Sequence, residues 1–409
     1  MAQTNEGSLG ALYHPLQGEH LENPYPFYAH ARQEEPIFFS PDLGSWVVTR
    51  YDDVLTILSQ PDLFSSKDAL RPVVQFSPAV FAELSKGYRR VPGTIESDGE
   101  THTRLRNAVS KAFAPKRVKQ LEPFIKEVTT SLVDAFIDDH KAEFISQFAY
   151  PLPLEVALLL IGVPKADMAL AKKLSHNGSI LFSSPLSEEQ QVECARDFVR
   201  LQHYLIQLVN KRRSAPREDL MSDLLEMPPG ETPFDDAELA RALIGTIVAG
   251  HETTAQLLGN GLAVLLEQPE RWQMLCAHPE HLPLAIEEML RYDAPVPAFF
   301  RTTTQEVTVG GITFPPETLL LVVFGSANRD ETHFPQADQF DMQRSPNRHL
   351  AFGYGIHFCL GAFLARKQGQ IAFETLCQRL PQLRLSPGQT FSHAPILRQR
   401  GFVRLDVVW

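Results

Sequence analysis

Residues 351–362 read Ala351-Phe352-Gly353-Tyr354-Gly355-Ile356-His357-Phe358-Cys359-Leu360-Gly361-Ala362. Two glycines let this chain bend sharply and approach a ligand closely. Beyond the cysteine, an amphipathic pattern predicts a helix from about Leu360 to Leu380. That reading puts Cys359 at a helix N-terminus, where free N–H groups and the macrodipole favour a thiolate. A thiolate in a glycine-rich loop is a soft, electron-rich ligand suited to iron. A cysteine at a helix start, taken alone, is more often a small buried hydrophobe. Here the surrounding pattern decides for the ligand.

The string F-G-x-G-x-H-x-C-x-G resembles the haem-binding loop of the cytochromes P-450. Phe352, Gly353, Gly355, His357, Cys359 and Gly361 fall at the positions of that pattern. Four further motifs extend the resemblance over most of the chain, and it looks most like the soluble bacterial branch. The first is Asp98-Gly99-Glu100-Thr101-His102-Thr103-Arg104-Leu105-Arg106. His102 and Arg106 stand four apart on one helix face and together can grip a carboxylate. On the letters alone this could be a solvated basic face. The string resembles the family's D-x-x-x-H-T-R-L-R, which implies that both residues hold haem propionates.

The longest helical pattern runs from Phe234 to Glu267, with Asp235, Asp236 and Glu238 in its first turns, as the helix dipole favours. Its middle reads Ala249-Gly250-His251-Glu252-Thr253-Thr254. A glycine weakens a helix interior, and threonines can bond back to the preceding turn. The bland alternative is a helix that packs around a glycine. The stretch resembles the family's A-G-x-[DE]-T-T, which crosses the distal face where oxygen binds. Gly250 then borders the cofactor, and Glu252 and Thr253 manage protons as the catalytic pair.

In Pro295-Val296-Pro297-Ala298-Phe299-Phe300-Arg301 the prolines exclude helix. Arg301 matches another propionate ligand of the family, with Val296, Ala298 and Phe299 facing the pocket. Glu288 and Arg291 form an E-x-x-R pair, weak by itself because surface pairs of this kind are common. With Arg344 they match the family's structural triad, expected to brace the haem loop. Glu287 is the less favoured acid, since its arginine would be Arg291 at four residues. The resemblance also puts Arg104, Lys111, Lys116, Arg117, Arg366 and Lys367 in the two helices flanking the cysteine. They read as a basic docking patch for an acidic electron donor.

Composition sets outer limits. The chain of 409 residues exceeds the usual domain size, yet no linker divides it. A hydrophobic content of 44% supports a large core, and a net charge of −11 argues against nucleic acid as a partner. Cys194, Cys276, Cys359 and Cys377 lie far apart with no C-x-x-C, which argues against a zinc site and a disulfide scaffold. A reducing, cytoplasmic compartment fits. The polar start, Met1 to Gly18, has no apolar core of a signal peptide or membrane anchor, and no apolar run reaches transmembrane length.

Elsewhere the patterns predict a helix from Asn23 to Glu34, and strands at Ile37–Phe39 and Trp46–Thr49 joined by a turn at Pro41–Gly44. A helix follows at Asp52–Gln60. Ser65 to Gly99 is irregular, with a short helix at Pro78–Lys86, and the family has its distal-pocket loop there. Helical patterns cover Pro115–His140, Pro153–Leu160, Gln190–Arg213 and Ala285–Tyr292. Ser175 to Leu186, with Gly178, Ile180, Leu181 and Phe182, reads as a loop that could cover a pocket. Met227-Pro228-Pro229-Gly230 breaks the chain. Val307–Val309, Ile312–Phe314 and Leu319–Val323 read as strands, the first two joined by a Gly310-Gly311 turn. Pro395-Ile396-Leu397 matches a turn that reaches toward substrate, and Val403–Val408 is a last strand.

These readings give a mainly α fold with small β-sheets. The resemblance specifies it as one cytochrome P-450 domain over residues 1–409, an α-rich body with a smaller β-rich region enclosing a b-type haem. It implies haem b (iron protoporphyrin IX) ligated by Cys359, and a monooxygenase that inserts one atom of O2 by hydroxylation or epoxidation. Peroxide-using or nitric-oxide-reducing enzymes of the same type, or a haem sensor, remain alternatives. The chain has no flavin or iron–sulfur motif, so a separate ferredoxin and ferredoxin reductase are the expected electron donors. The expected enzyme is a cytoplasmic monomer. Ile180, Phe182, Val296, Phe299 and Ile396 as pocket residues imply a hydrophobic or mid-sized organic substrate.

Overall fold

The computed structural model of the chain describes residues 8–71, 76–183, 186–226 and 232–409. The break expected at Met227–Gly230 lies outside them. The described chain is mostly helical with small sheets. It gathers into two compact units.

The first unit comprises Met1–Leu70, Thr129–Tyr150 and Thr253–Trp409. Its main sheet has five strands, in the order Ile37–Ser40, Ser45–Val48, Leu319–Val323, Ala298–Thr303 and Phe64–Ser65. Only the second and third of these run parallel; the other pairs are antiparallel. The register places Phe38 beside Val47, Val47 beside Leu321 and Leu321 beside Phe300. These four side chains and Ala298 pack on one face, while Ile37, Val48, Leu320 and Val322 pack on the other. Strand alternation therefore separates Ala298 from Phe299, which packs with the second group. The two cannot face one pocket together, as the sequence reading expected.

The hairpin Val307–Val309/Ile312–Phe314 turns at Gly310 and Gly311, whose φ values are +54° and +81°. Two successive positive φ angles define the turn that matches strand twist, and only glycine takes them at little cost. The last strand is shorter than expected, Asp406–Val408, and pairs with Lys141–Glu143 and Arg384–Leu385.

The second unit comprises Arg71–Val128 and Pro151–Glu252 and is helical. Its main elements are Gly99–Ser110, the start of Pro115–Asp134, Pro151–Ile161, Met168–Ser183 and Glu188–Ser214, with the first half of Asp236–Leu266. Ser187 and Gln190 close a reciprocal capping box at the start of Glu188–Ser214, and Lys211, Arg212 and Arg213 complement its far end.

The loop expected at Ser175–Leu186 is helical as far as Ser183. Ala171, Leu174, Ser175 and Gly178 are all buried, which is a helix face at i, i+3, i+4 and i+7. Serine and glycine hid that face from a hydrophobicity reading. Gly178 is small for a packing reason: a Cβ there would come within 3.0 Å of the Phe198 ring.

Candidate active site

The cysteine loop is built by short backbone bonds. Gly353 N–H donates to Leu350 O at 2.9 Å, Phe358 N–H to Gly355 O at 3.1 Å, and Cys359 N–H to Phe352 O at 2.9 Å. Gly353 and Gly355 take φ of +70° and +67°, so the two glycines of the motif are required by conformation. Gly355 has a second reason, since a Cβ there would lie 2.9 Å from the Leu58 carbonyl oxygen. The result exposes the Cys359 thiol, together with Tyr354, Ile356, Phe358 and Phe363.

The following helix starts later than expected. It spans Ala362–Arg379 with Gly361 at its cap, and a turn from Ala362 N–H to Cys359 O leads into it at 3.4 Å. Cys359 therefore stands two residues ahead of the cap. Helix-end electrostatics fade beyond the terminal turn, so exposure of Cys359, more than the dipole, is what the fold provides.

A brace surrounds this loop. Arg366 Nε and Nη2 donate to Glu287 Oε1 and Oε2 at 2.6 and 2.7 Å. The same guanidinium lies 4.5 Å over the Phe352 ring. His349 Nδ1 accepts from Ala351 N–H at 3.2 Å, so Nε2 carries the proton and donates to Glu287 Oε2 at 3.2 Å. Glu287 thus ties the chain before the loop to the helix after it. Burial pushes its carboxyl up, but Arg366 and then His349 outweigh burial and hold it at about 2.

Glu288, the neighbouring acid, faces another network. It accepts from Arg291 Nη2 and Nε, both at 2.7 Å, and from Arg344 Nε at 3.1 Å. Asp341 N–H and Asn347 Nδ2 complete its shell at 2.9 and 3.1 Å. Glu288 and Arg291 are fully buried, and Arg344 joins them as the third residue of the expected set. Glu287 was underrated, because its partners lie far along the chain.

Two further expected residues belong to the first unit. His357 Nε2 is 2.9 Å from Ser66 Oγ. Arg301 is buried on the Ala298–Thr303 strand, and its Nη1 donates to Phe300 O at 2.7 Å.

In the second unit, His102 is buried and Arg106 half-buried on the helix Gly99–Ser110. The Asp236–Leu266 helix continues unbroken through Ala249–Thr254. Ala249 is exposed in mid-helix, and Gly250, Glu252 and Thr253 are half-exposed, whereas Thr246, Ile247, Thr254 and Ala255 are buried. A Cβ on Gly250 would meet only the Ala157 side chain, at 3.9 Å. Ser179 donates its hydroxyl hydrogen bond to the Glu252 carboxylate. Ser179 escaped the sequence reading because its segment was read as a loop. His251 is buried on the opposite side, and burial, with His176 adding to it, lowers its pKa to about 3.

The expected basic patch is largely spent on internal pairs. Arg117 pairs with Asp223. Arg104 Nη1 is 2.8 Å from Glu238, Lys111 is 3.7 Å from Glu226, and Arg366 holds Glu287. A guanidinium committed to a neighbouring carboxylate contributes little field to an incoming partner, so Arg117 and Arg366 do not serve as free docking charges.

Comparison with known proteins agrees with this geometry. The family model described as Cytochrome P-450 matches residues 175–391. Mycinamicin IV hydroxylase/epoxidase of Micromonospora griseorubida is 35% identical over 394 residues, covering 93% of this chain and 94% of the relative. The 6-deoxyerythronolide B hydroxylase of Saccharopolyspora erythraea is 34% identical, covering 88% and 89%. Among solved structures, the Tepidiphilus thermophilus P-450 heme domain superposes with a TM-score of 0.92 at 33% identity, covering 97% of this chain and 96% of that one. The chain belongs to the cytochrome P-450 family. Its class of activity is monooxygenation and its class of cofactor a haem-thiolate. Among the described residues no helix is long and apolar enough to cross a membrane.

Proposed function

We propose that this enzyme hydroxylates or epoxidises a hydrophobic or mid-sized organic molecule, with haem b bound through Cys359 and electrons from a separate ferredoxin and ferredoxin reductase. The observation that carries the reading is the exposed Cys359 thiol on a loop bent by two positive-φ glycines. Relatives named as a hydroxylase/epoxidase and a hydroxylase support the reaction type.

The donor set fits an iron porphyrin. Cys359 offers a soft sulfur ligand on an exposed residue. His102, Arg106 and Arg301 offer N–H donors of the kind that pair with propionate carboxylates. Phe352, Gly353, His357 and Gly361 shape the cysteine loop, and Gly250 leaves one turn of the long helix bare. When bound, the haem supplies oxygen activation, while the chain supplies orientation, protons and exclusion of water.

Proton handling falls to Glu252 and Thr253. The Ser179 hydroxyl holds the Glu252 carboxylate. Release of that bond frees Glu252 to take a proton from solvent and pass it toward the Thr253 hydroxyl, which can both donate and order a water. Val296, Phe299 and Ile396 are half-buried apolar side chains suited to substrate, as are Ile180 and the more exposed Phe182. We take residues 1–409 as a single domain acting as a cytoplasmic monomer.

The test joins a spectrum to a turnover balance. The reduced, carbon-monoxide-bound protein should show the red-shifted Soret band of thiolate ligation. An ordinary histidine-type band from folded protein would remove Cys359 from the metal. With substrate, ferredoxin and its reductase, Thr253→Ala should keep consuming reductant while hydrogen peroxide replaces part of the product. Glu252→Gln should slow turnover, and Ser179→Ala should change the rate without moving the Soret band. Turnover with peroxide alone and none with ferredoxin would favour the peroxide-using alternative.

A further inference from the structure

Away from the cysteine loop, two other cysteines of the first unit meet across one helix contact. The helix Pro269–Ala277 packs on Ala362–Arg379 through buried Trp272, whose Nε1–H donates to Leu380 O at 3.2 Å. Cys276 lies one turn after Trp272 on the same face, and Cys377 lies one turn before Leu380. The contact that Trp272 fixes therefore carries Cys276 toward Cys377, and the two side chains are neighbours that perturb one another. Both sulfurs are free of disulfide. Their surroundings differ: Cys276 is half-exposed, whereas Cys377 is buried. Spacing of 101 residues hid the pair from any sequence motif.

We propose that Cys276 and Cys377 form a peroxide-reactive dithiol that closes to an intramolecular disulfide. Roles follow from access. Cys276, half-exposed, can meet a small oxidant from which burial shields Cys377. The neighbouring Cys377 lowers the Cys276 pKa, while Cys276, with burial, pushes the Cys377 thiol up. Cys276 is thus the sulfur that supplies thiolate, the form that reacts.

The oxidant is hydrogen peroxide. The Cys276 thiolate attacks one peroxide oxygen, the O–O bond breaks, and the departing hydroxide takes up the thiol's proton to leave as water. Cys276 becomes a sulfenic acid. The Cys377 sulfur then displaces the sulfenic hydroxyl, forming the S–S bond, and its proton leaves with that hydroxyl as a second water. Two thiols lose two electrons, and one peroxide is reduced to two waters. A small dithiol reverses the change by thiol–disulfide exchange.

The test treats the haem-loaded protein with graded hydrogen peroxide, quenches with an alkylating agent, and maps peptides by mass spectrometry without reduction. The expected result is a Cys276–Cys377 linked peptide, the loss of two hydrogens from the intact mass, alkylated Cys194, and full reversal by dithiothreitol. In Cys377→Ala, Cys276 should stop at a sulfenic acid that dimedone traps. In Cys276→Ser, Cys377 should stay a thiol. The wild-type peptide map decides the question even if a variant folds poorly. Overoxidised Cys276 beside a free Cys377, a link between two chains, or both thiols intact at doses that oxidise surface methionines would each overturn the proposal.

Discussion

Replacing Glu287 with glutamine tests whether one side chain clamps both ends of the cysteine loop. The carboxylate receives two bonds from Arg366 and one from His349, and these hold its pKa at about 2 against an ordinary 4.5. At about 1.4 kcal/mol per pKa unit, the ionised carboxylate contributes roughly 3 kcal/mol to the folded state. Its side chain is 23% exposed, so solvent screens only part of this. An amide keeps an acceptor for Arg366 but loses the charge, and Glu287→Gln should cost about 2–3 kcal/mol at pH 7.

The pH dependence has a definite sign. Because the folded pKa is depressed, the contribution is complete above the unfolded value near 4.5 and drains away as pH falls toward 2. Roughly 1 kcal/mol of it should be gone by pH 4. Urea unfolding of wild type and Glu287→Gln, followed by far-ultraviolet circular dichroism at pH 7 and pH 4, measures the difference directly. A gap below about 0.5 kcal/mol at pH 7, the level of an exposed ion pair, would refute the clamp. So would a gap that widens on acidification.

Glu288→Ala should be more damaging, by about 3–5 kcal/mol, because it strands two buried guanidinium groups; a denaturation midpoint close to wild type would contradict this. His251 carries the opposite proton preference to a surface histidine. Its folded pKa of about 3 lies below the ordinary 6.5, so the unfolded chain takes up a proton that the buried ring refuses, and stability falls as pH drops below 6.5. His251→Leu should gain roughly 1 kcal/mol relative to wild type between pH 7 and pH 5.5, read from paired urea curves; parallel curves at both pH values would show that the ring titrates normally.

The residues that could be read from the sequence share a property: their local conformation demands a particular residue type. Gly353, Gly355, Gly310 and Gly311 all sit at positive φ, and each appears in the sequence as punctuation between patterned segments. Glu288 and Arg291 were legible because their partnership runs along one helix. The strands around Val47 and Leu321 followed from short apolar runs bounded by turn residues.

What escaped the reading depends on chain segments meeting in space. Glu287 and Arg366 are 79 residues apart. Arg117, read as a docking charge, and Asp223 are 106 apart. Charge alone reveals neither pairing, and so a basic surface was expected where ion pairs lie. The helix through Ser175–Ser183 escaped for a different reason. Its buried face contains small residues because a neighbouring helix comes close, and smallness resembles a loop when only hydrophobicity is scored.

Adjacent acids at positions 287 and 288 serve separate partners because each helical residue turns the side chain by about 100°. That geometry makes the Leu282–Tyr292 segment phase-locked. Substitutions on its outer side leave the phase alone, but adding or deleting one residue ahead of Glu287 turns both carboxylates away from their arginines at once. Among descendants of this gene, the segment should therefore drift in letters while keeping its length, and an alignment that opens a gap there is more safely suspected of error than taken as a real event.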